Sequence, residues 1–322
     1  MRAVHVARLD GPSALSVVEV PEPAAGDDAV IVDVHATGVA WPDLLLTRGQ
    51  YQLRPEPPFS PGAEVAGVVR SAPAGSGLEA GQRVAVLTGV GGWQEVVVTA
   101  AHSVLPLPDN VAFAEGAGVA FNYLTAHFGL HRRARLAGGE TVLVHGASGG
   151  VGIATLQLAK AAGARTIAVV STPAKQAAAL AAGADEVVLA DGFLAAAKEL
   201  TGGRGVDVVM DPVGGDRFTD SLRSLAPEGR LLVVGFTGGH IPTVKVNRLL
   251  LNNVSVVGVG WGAFLAVEPT FLQQQWSELC ELLRAGTVVP VPVQTRPLAD
   301  ARAVLEEMEA RTLTGKVVLT VR

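Results

Sequence analysis

The chain has very little cysteine. Its 322 residues include one, Cys280. A single cysteine excludes an intramolecular disulfide framework and any zinc site built from several thiolates. Because such a chain suits a reducing compartment, we expect a cytoplasmic protein.

Long apolar runs are also missing. No uninterrupted apolar stretch reaches the ~18 residues that a membrane-spanning helix needs, so we expect no membrane partner. Hydrophobic residues nevertheless make up 49% of the chain and charged residues 17%, which is typical of a well-packed globular protein. Lysine and arginine total 25 against 30 acidic residues, and this deficit of positive charge argues against nucleic-acid binding.

Glycine is the residue in excess, with 38 copies in a chain where the usual share of ~7% would give far fewer. No three-residue repeat accompanies the glycines, so a collagen-like fibre is excluded. The excess therefore marks turns, close backbone approaches or phosphate-binding loops.

The local pattern changes along the chain. Short β-rich segments separated by glycine and proline fill residues 1–107 and predict an antiparallel barrel or sandwich. Apolar runs then alternate with helical segments from about residue 114 to 260, which predicts an α/β fold with a doubly wound parallel sheet. The predicted strands of that sheet are Thr141–His145, Arg165–Val170, Asp185–Leu189, Val206–Met210, Arg230–Val234 and Val254–Val259.

The last segment mixes both kinds of element. Helical periodicity covers Phe271–Arg284, and a β-rich stretch follows at Thr287–Val293. A helix over Leu298–Ala310 and a strand over Lys316–Val321 complete the pattern. Periodicity alone leaves open whether this tail joins the sheet domain or returns to the first one.

The clearest chemical signal follows the strand Thr141–His145. Residues 147–152 read Ala-Ser-Gly-Gly-Val-Gly, the dinucleotide-binding fingerprint with alanine at its first position. Its glycines let the backbone approach a pyrophosphate, and the helix that begins there points its N-terminal amides at the anion. The expected cofactor contacts are Ala147, Ser148, Gly149, Gly150, Val151 and Gly152.

The end of the second strand indicates which dinucleotide binds. An acidic residue at this point would accept a hydrogen bond from the 2′-hydroxyl of NAD. The chain has Ser171, Thr172 and Lys175 instead, which can donate to a 2′-phosphate, so NADPH is favoured as the cofactor. The alternative for Lys175 is a solvated position in the first turn of the next helix.

Further motifs give the chain a specific family resemblance. Together with the phosphate loop they span nearly the whole chain: Ala36–Val39, Pro42–Leu44, Arg48–Tyr51, Pro61–Gly67, Asn122–Ala126, Asp211–Gly215 and Thr314–Val318. In these motifs the chain resembles the zinc-free, zeta-crystallin-like quinone oxidoreductase branch of the medium-chain dehydrogenase/reductase family.

This resemblance implies two domains. A GroES-like β-barrel domain would comprise residues 1–120 and 265–322, and a Rossmann NADP(H)-binding domain would comprise residues 121–264. The strand order of the Rossmann sheet would be 3-2-1-4-5-6. The resemblance also implies a homodimer formed through the edge strand Val254–Val259.

The resemblance also bears on metals. Zinc-dependent relatives have a cysteine at the position of Ala40 and a His-Glu pair at Ala63-Glu64, and the chain lacks their cysteine-rich lobe. We therefore expect no metal. Quinone reductases often have asparagine at the Ala40 position, so a polar contact to the substrate is missing there. The histidines at positions 35, 127, 131 and 145 are interpreted as structural.

The expected reaction is hydride transfer from NADPH to a quinone or a similar electron-poor acceptor. The resemblance implies that Thr125 lies beside the nicotinamide and that Tyr51 contacts the acceptor. The alternative for Tyr51 is a packing role at the solvent edge, and Trp41 either walls the pocket or belongs to the core. The remaining expected cofactor contacts are Asp211, Gly235, Phe236, Thr237, Val259, Gly260, Trp261 and Lys316. Asp211 has a second interpretation, as the cap of the turn that follows it.

Two other functions stay open from the sequence. One is NADPH-dependent reduction of the activated double bond of an enone, an enal or an acryloyl-type thioester. The other is non-catalytic binding of NADPH by a sensor or structural protein. This function stays open because position 40 is alanine and lacks the polar side chain of asparagine.

Overall fold

The computed structural model describes residues 1–322, which form two compact units. The first unit comprises residues 1–121, 270–284 and 292–322, and the second comprises residues 122–269 and 285–291. The sequence-based division placed all of residues 265–322 in the first unit, whereas two short segments of that range belong to the second.

The N-terminal part of the first unit is built of short strands. Its strands are β1 (Arg2–Val6), β2 (Leu15–Glu19), β3 (Val30–Gly38), β4 (Glu64–Ser71), β5 (Arg83–Leu87), β6 (Val96–Thr99) and β7 (Val104–Pro106). Its helices are α1 (Trp41–Thr47) and α2 (Phe113–His127), and the latter runs on into the second unit. Strands β1 and β2 pair with each other as an antiparallel ribbon, and single bridges also join Ala3 to Gln94 and Val6 to Phe59.

The second unit contains six parallel strands in the order β10-β9-β8-β11-β12-β13. In chain order the strands are β8 (Thr141–His145), β9 (Arg165–Val170), β10 (Glu186–Leu189), β11 (Val206–Asp211), β12 (Leu225–Val233) and β13 (Ser255–Gly258). The helices are α3 (Gly150–Ala161), α4 (Gln176–Ala181), α5 (Phe193–Leu200), α6 (Phe218–Ser224), α7 (Asn247–Asn252) and α8 (Trp261–Leu265). The predicted order 3-2-1-4-5-6 is thereby confirmed.

The C-terminal segment returns to the first unit. Its elements are α9 (Phe271–Arg284), β14 (Gln294–Pro297), α10 (Ala301–Glu309) and β15 (Val317–Thr320). Strand β15 pairs antiparallel with β3 and parallel with β14, which extends the seven-stranded sheet β14-β15-β3-β4-β5-β7, where β6 also pairs with β3. None of the helices is both long and apolar enough to cross a membrane.

The predicted β-rich stretch Thr287–Val293 was wrong. These residues form no strand, and β14 begins only at Gln294. Pro290 and Pro292 explain the error, because proline has no backbone N–H to donate to a sheet. The valines around them made the segment resemble a strand.

Candidate functional site

The phosphate loop has the backbone geometry expected of an anion site. Strand β8 ends at His145, and Gly146 turns the chain with a φ of 59°. Gly149 is the N-cap of α3, and no side chain caps this helix end. The first amides of a 12-residue helix therefore point out of the loop without a side-chain acceptor, which is how helix N-termini bind phosphate.

Two of the loop glycines are required by the fold itself. A Cβ added at Gly152 would lie 2.3 Å from the carbonyl oxygen of Gly146 and 2.7 Å from Cα of Ala147. A Cβ at Gly150 would lie 2.5 Å from the amide nitrogen of Asn122. Gly152 lets helix α3 pack closely against the turn, which is the role assigned to the last glycine of the fingerprint, whereas Gly150 leaves room for the side chain of Asn122 on α2.

Gly149 is different, because the protein itself leaves room for a side chain there. Its φ is −96°, and a Cβ would meet only the carbonyl oxygen of Gly146, at 3.4 Å. Glycine at this point of a phosphate loop, where the fold leaves room for a side chain, is what the close approach of a bound molecule would favour. Of the other predicted loop contacts, Ala147 and Ser148 are buried and Val151 is half-buried.

The residues predicted to choose the cofactor follow β9 directly. Ser171 and Thr172 are exposed, and Lys175 ends a short 3-10 turn and is partly exposed. No carboxylate stands between the end of β9 and helix α4. The three side chains therefore form an acid-free group of donors at the carboxyl end of the strand.

Asp211 caps the turn that follows β11. Its side chain is 2% exposed, and Oδ1 accepts hydrogen bonds from the backbone N–H groups of Val213 (2.9 Å) and Gly214 (2.8 Å). This is the capping role that the sequence left open beside a cofactor contact. The contact itself stays a prediction.

The predicted contacts Gly235, Phe236 and Thr237 lie on the loop after β12. The backbone N–H of Thr237 donates to the carbonyl of Pro212 at 3.1 Å, so the loop is attached to the turn that Asp211 caps. Phe236 is exposed on this loop. An exposed aromatic ring beside a capped turn is available to a ligand.

Further predicted contacts come from β13 and α2. Val259 extends β13 by donating its N–H to Val233 at 2.9 Å, Gly260 follows, and the buried Trp261 opens α8. Thr125 is buried near the end of α2, in the second unit. Their contact with a cofactor stays a prediction.

Trp41 and Tyr51 belong to the first unit. Trp41 opens α1, packs its half-buried ring against the hydrophobic core, and lies 5.8 Å from the guanidinium of Arg311. Tyr51 is partly exposed just after α1, where burial raises the pKa of its phenol and the negative charge of Asp43 raises it further. The Tyr51 hydroxyl therefore stays protonated near neutral pH and can donate a hydrogen bond.

Lys316 forms a buried ion pair that the sequence did not predict. Its ammonium lies 2.6 Å from Oε1 of Glu64, whose Oε2 accepts the backbone N–H of Phe121 at 2.7 Å. Glu64 is fully buried, and burial raises the pKa of this carboxyl although the Lys316 charge opposes the shift. The expected contact between Lys316 and the cofactor phosphates stays a prediction.

Asp43 was missed by sequence reasoning as a functional group. It is fully buried and accepts the N–H of Ala40 at 2.8 Å and the N–H of Gly62 at 2.9 Å. Burial raises the pKa of Asp43 to about 7. A signal was available, since an acid three residues after the N-cap, preceded by Pro42, is a helix-start pattern.

No group of three or more His, Cys, Asp or Glu side chains is placed to hold a metal ion. Cys280 is buried in α9, where burial raises the pKa of its thiol to about 11. Four of the histidines are engaged with protein rings or side chains: His35 stacks on Phe113, His127 and His131 pack against each other, and His145 bonds Ser221.

Comparisons with known proteins agree with this arrangement. The family model described as "Alcohol dehydrogenase GroES-like domain" matches residues 26–109, and the one described as "Zinc-binding dehydrogenase" matches residues 150–285. Quinone oxidoreductase-like protein 2 of Rattus norvegicus is 36% identical over 312 residues, covering 96% of this chain and 89% of the relative. The chain belongs to the medium-chain dehydrogenase/reductase superfamily. Within this superfamily it is a quinone oxidoreductase-like protein, with the predicted GroES-like and Rossmann folds.

Solved structures of the superfamily match the whole chain. A probable oxidoreductase from Mycobacterium abscessus has a TM-score of 0.92 at 44% identity, covering 100% of this chain and 99% of its own. The Escherichia coli quinone oxidoreductase complexed with NADPH has a TM-score of 0.91 at 29% identity, covering 100% of both chains. The chain is thus an oxidoreductase of this superfamily.

Proposed function

We propose that the protein is an NADPH-dependent, metal-independent oxidoreductase that delivers hydride to a quinone or a similar electron-poor acceptor. The observation that carries the proposal is Gly149, a loop glycine that the fold itself does not need, at the uncapped start of α3. The E. coli quinone oxidoreductase with a closely similar fold is described as an NADPH complex, which supports the same cofactor here.

The residues of the second unit fit NADPH. The amides at the start of α3 would hold the pyrophosphate, and the donors Ser171, Thr172 and Lys175 would hold the 2′-phosphate. Bound NADPH supplies a hydride, so the protein needs only to bind, orient and stabilise charge. The loop of Gly235–Thr237 and the segment Val259–Trp261 are proposed to position the cofactor's remaining parts.

An electron-poor acceptor removes the need for a metal. Hydride addition to a quinone places negative charge on an oxygen that the ring system already stabilises, and a hydrogen-bond donor suffices there. Tyr51 is proposed as that donor, because its raised pKa keeps the hydroxyl protonated. Trp41 is proposed to offer part of its half-exposed ring face to a flat acceptor.

Activity with a small panel of acceptors tests the proposal. NADPH consumption is followed with a benzoquinone, a naphthoquinone, an enone and crotonyl-CoA. Turnover fastest with the quinones supports the proposal, and turnover only with the enone or the thioester assigns double-bond reduction instead. Tight NADPH binding without turnover on any acceptor would identify a non-catalytic binding protein.

Cofactor preference is tested by reversing one charge. Lys175→Glu is expected to lower the preference for NADPH over NADH by about 10–100-fold, the worth of one charge-assisted hydrogen bond. Lys245→Glu is the matched control, because Lys245 is exposed in the same unit on the loop after β12. An unchanged preference in Lys175→Glu would remove this residue from the proposal.

A homodimer through β13 is part of the proposal. β13 pairs only with β12, so the other edge of this strand is open, and Leu250 and Leu251 of the preceding helix are exposed. Open edges with apolar neighbours are commonly covered by a second copy. Light scattering should give twice the 33.0 kDa chain mass. Val257→Glu should shift the measured mass towards that of the monomer, and a monomeric wild type would refute the dimer.

A reducing cytoplasm is the proposed compartment.

A further inference from the structure

Two buried polar atoms of the second unit have no hydrogen-bond partner, His145 Nδ1 and Asp211 Oδ2. His145 is 1% exposed and Asp211 is 2% exposed. They are the last residues of the neighbouring parallel strands β8 and β11, where Val144 pairs with Met210, so they are next in register. Register partners on adjacent strands present their side chains on the same face of a sheet.

The imidazole of His145 is held in place and uncharged. Its Nε2 lies 2.8 Å from Oγ of Ser221, and its ring meets the ring of Phe193 edge-on at 4.8 Å. Burial lowers the pKa of His145 to about 4, a shift that the charge of Asp211 opposes and that of Arg217 assists. A neutral imidazole has a single N–H, which lies on either Nδ1 or Nε2.

The surrounding bonds distinguish the two tautomers. With the proton on Nε2, Ser221 accepts it and donates to the carbonyl of Arg217 at 3.1 Å, but a lone pair of Nδ1 then faces the Asp211 carboxylate. With the proton on Nδ1, Ser221 donates to Nε2 and both unpartnered atoms can pair. Only the hydrogen bond from Ser221 to the Arg217 carbonyl is lost, and at 3.1 Å it is longer than the 2.8 Å bond between Ser221 and His145. Leaving two buried polar atoms without partners costs more free energy than losing this one hydrogen bond, so the proton is favoured on Nδ1.

We propose that His145 carries its proton on Nδ1 and donates it to Asp211 Oδ2, directly or through one water, forming a buried pair that joins the phosphate loop to the turn after β11. The two backbone N–H groups bind Oδ1, which leaves Oδ2 as the oxygen that accepts this bond. The pair is neither exposed nor part of the reacting atoms, so both are positioning residues.

The pair connects three cofactor segments. His145 precedes Gly146 of the phosphate loop, Asp211 caps the turn of residues 212–214, and Thr237 is bonded to that turn through Pro212. Loosening the pair should therefore weaken NADPH binding more than it slows turnover. This consequence, unlike the tautomer itself, rests on the proposed function.

Nitrogen-15 NMR of the histidine rings tests the tautomer without any cofactor. The His145 signals are identified by their loss in His145→Gln, with the exposed His102→Gln as the matched control. The wild type should show a protonated Nδ1. Asp211→Asn should move the proton to Nε2, because the asparagine amide donates to Nδ1 while its oxygen still caps the turn. Ser221→Ala should leave the proton on Nδ1.

A protonated Nε2 in the wild type would overturn the proposal, as would an unchanged tautomer in a folded Asp211→Asn protein. If Asp211→Asn does not fold, the wild-type spectrum alone decides. In kinetics, Asp211→Asn should raise the KM for NADPH about ten-fold. If the wild type binds no NADPH, the proposed function fails but the tautomer result stands.

Discussion

The two units assemble their polar chemistry in different ways. The phosphate loop of the second unit is made of backbone: amides at an uncapped helix end, and glycines whose missing side chains shape the turn. The first unit instead contains a buried charge cluster of Asp43, Glu64 and Lys316, whose side chains are 0%, 0% and 9% exposed. Glu64 and Lys316 affect the pKa of Asp43 through their charges, so the three groups act together.

The difference has consequences for stability. Backbone amides need no counter-ion, so the phosphate loop can form without a charged partner. Each buried charge, in contrast, loses its hydration, and Glu64 depends on a partner far along the chain, Lys316, 252 residues away. Substitutions in the charge cluster should therefore act mainly on folding, and those in the phosphate loop should divide between folding and cofactor binding.

Breaking the ion pair should have the largest effect. Lys316→Met leaves the fully buried Glu64 carboxylate without its counter-charge and should lower the free energy of unfolding by about 3–5 kcal/mol. Urea denaturation measures this loss. Replacing both partners with uncharged groups, in Glu64→Gln with Lys316→Met, should recover most of it, because no unpaired charge then remains. If the free energy of unfolding of Lys316→Met alone lies within about 1 kcal/mol of the wild type, the pair contributes no more to stability than an exposed ion pair does.

Gly152→Ala should have the second-largest effect on the free energy of unfolding. Its Cβ would lie 2.3 Å from a backbone oxygen, which cannot rotate away as a side chain could, and overpacking of this kind costs about 1–3 kcal/mol. NADPH affinity should fall as well, because the loop must shift. The control is Gly26→Ala, where the added methyl group meets nothing within 4 Å. Equal stability and affinity of the two variants would contradict the close packing of α3 against the loop.

The smallest expected change is a pH dependence due to Asp43. Its pKa rises from 3.8 to about 7 on folding, so the unfolded chain releases this proton first as the pH increases. Between about pH 6 and pH 7 the free energy of unfolding should therefore fall by on the order of 1 kcal/mol relative to Asp43→Asn. Urea denaturation across this range compares the two proteins. Parallel profiles would contradict the raised pKa.

The contrast also explains what could be predicted from sequence. The parallel strands and the phosphate loop followed from valine-rich runs and from glycines at fixed spacing, both of which are local features, whereas the strand order followed from the family resemblance. Helix Phe271–Arg284 was likewise predicted to the residue from its apolar periodicity. Local patterns suffice where one short segment determines the structure.

Long-range and context-dependent features were missed. Nothing in the motif around Lys316 indicates that its partner is Glu64, because the two meet only when β15 joins β3 beside β4. The stretch Thr287–Val293 was read as β-rich, although Pro290 and Pro292 prevent a strand. The turn-capping role of Asp211 could be listed as an alternative, but only the hydrogen bonds decided it.

The most direct test of the account is the affinity of Gly149→Ala for NADPH, measured by calorimetric titration. The fold has room for the added methyl group, whose nearest atom would be 3.4 Å away, so Tm should change by no more than about 2–4 °C. The same methyl group would stand where the pyrophosphate is proposed to approach the backbone, and the Kd for NADPH should rise at least about ten-fold. An unchanged Kd in the folded variant would contradict a backbone-built cofactor site.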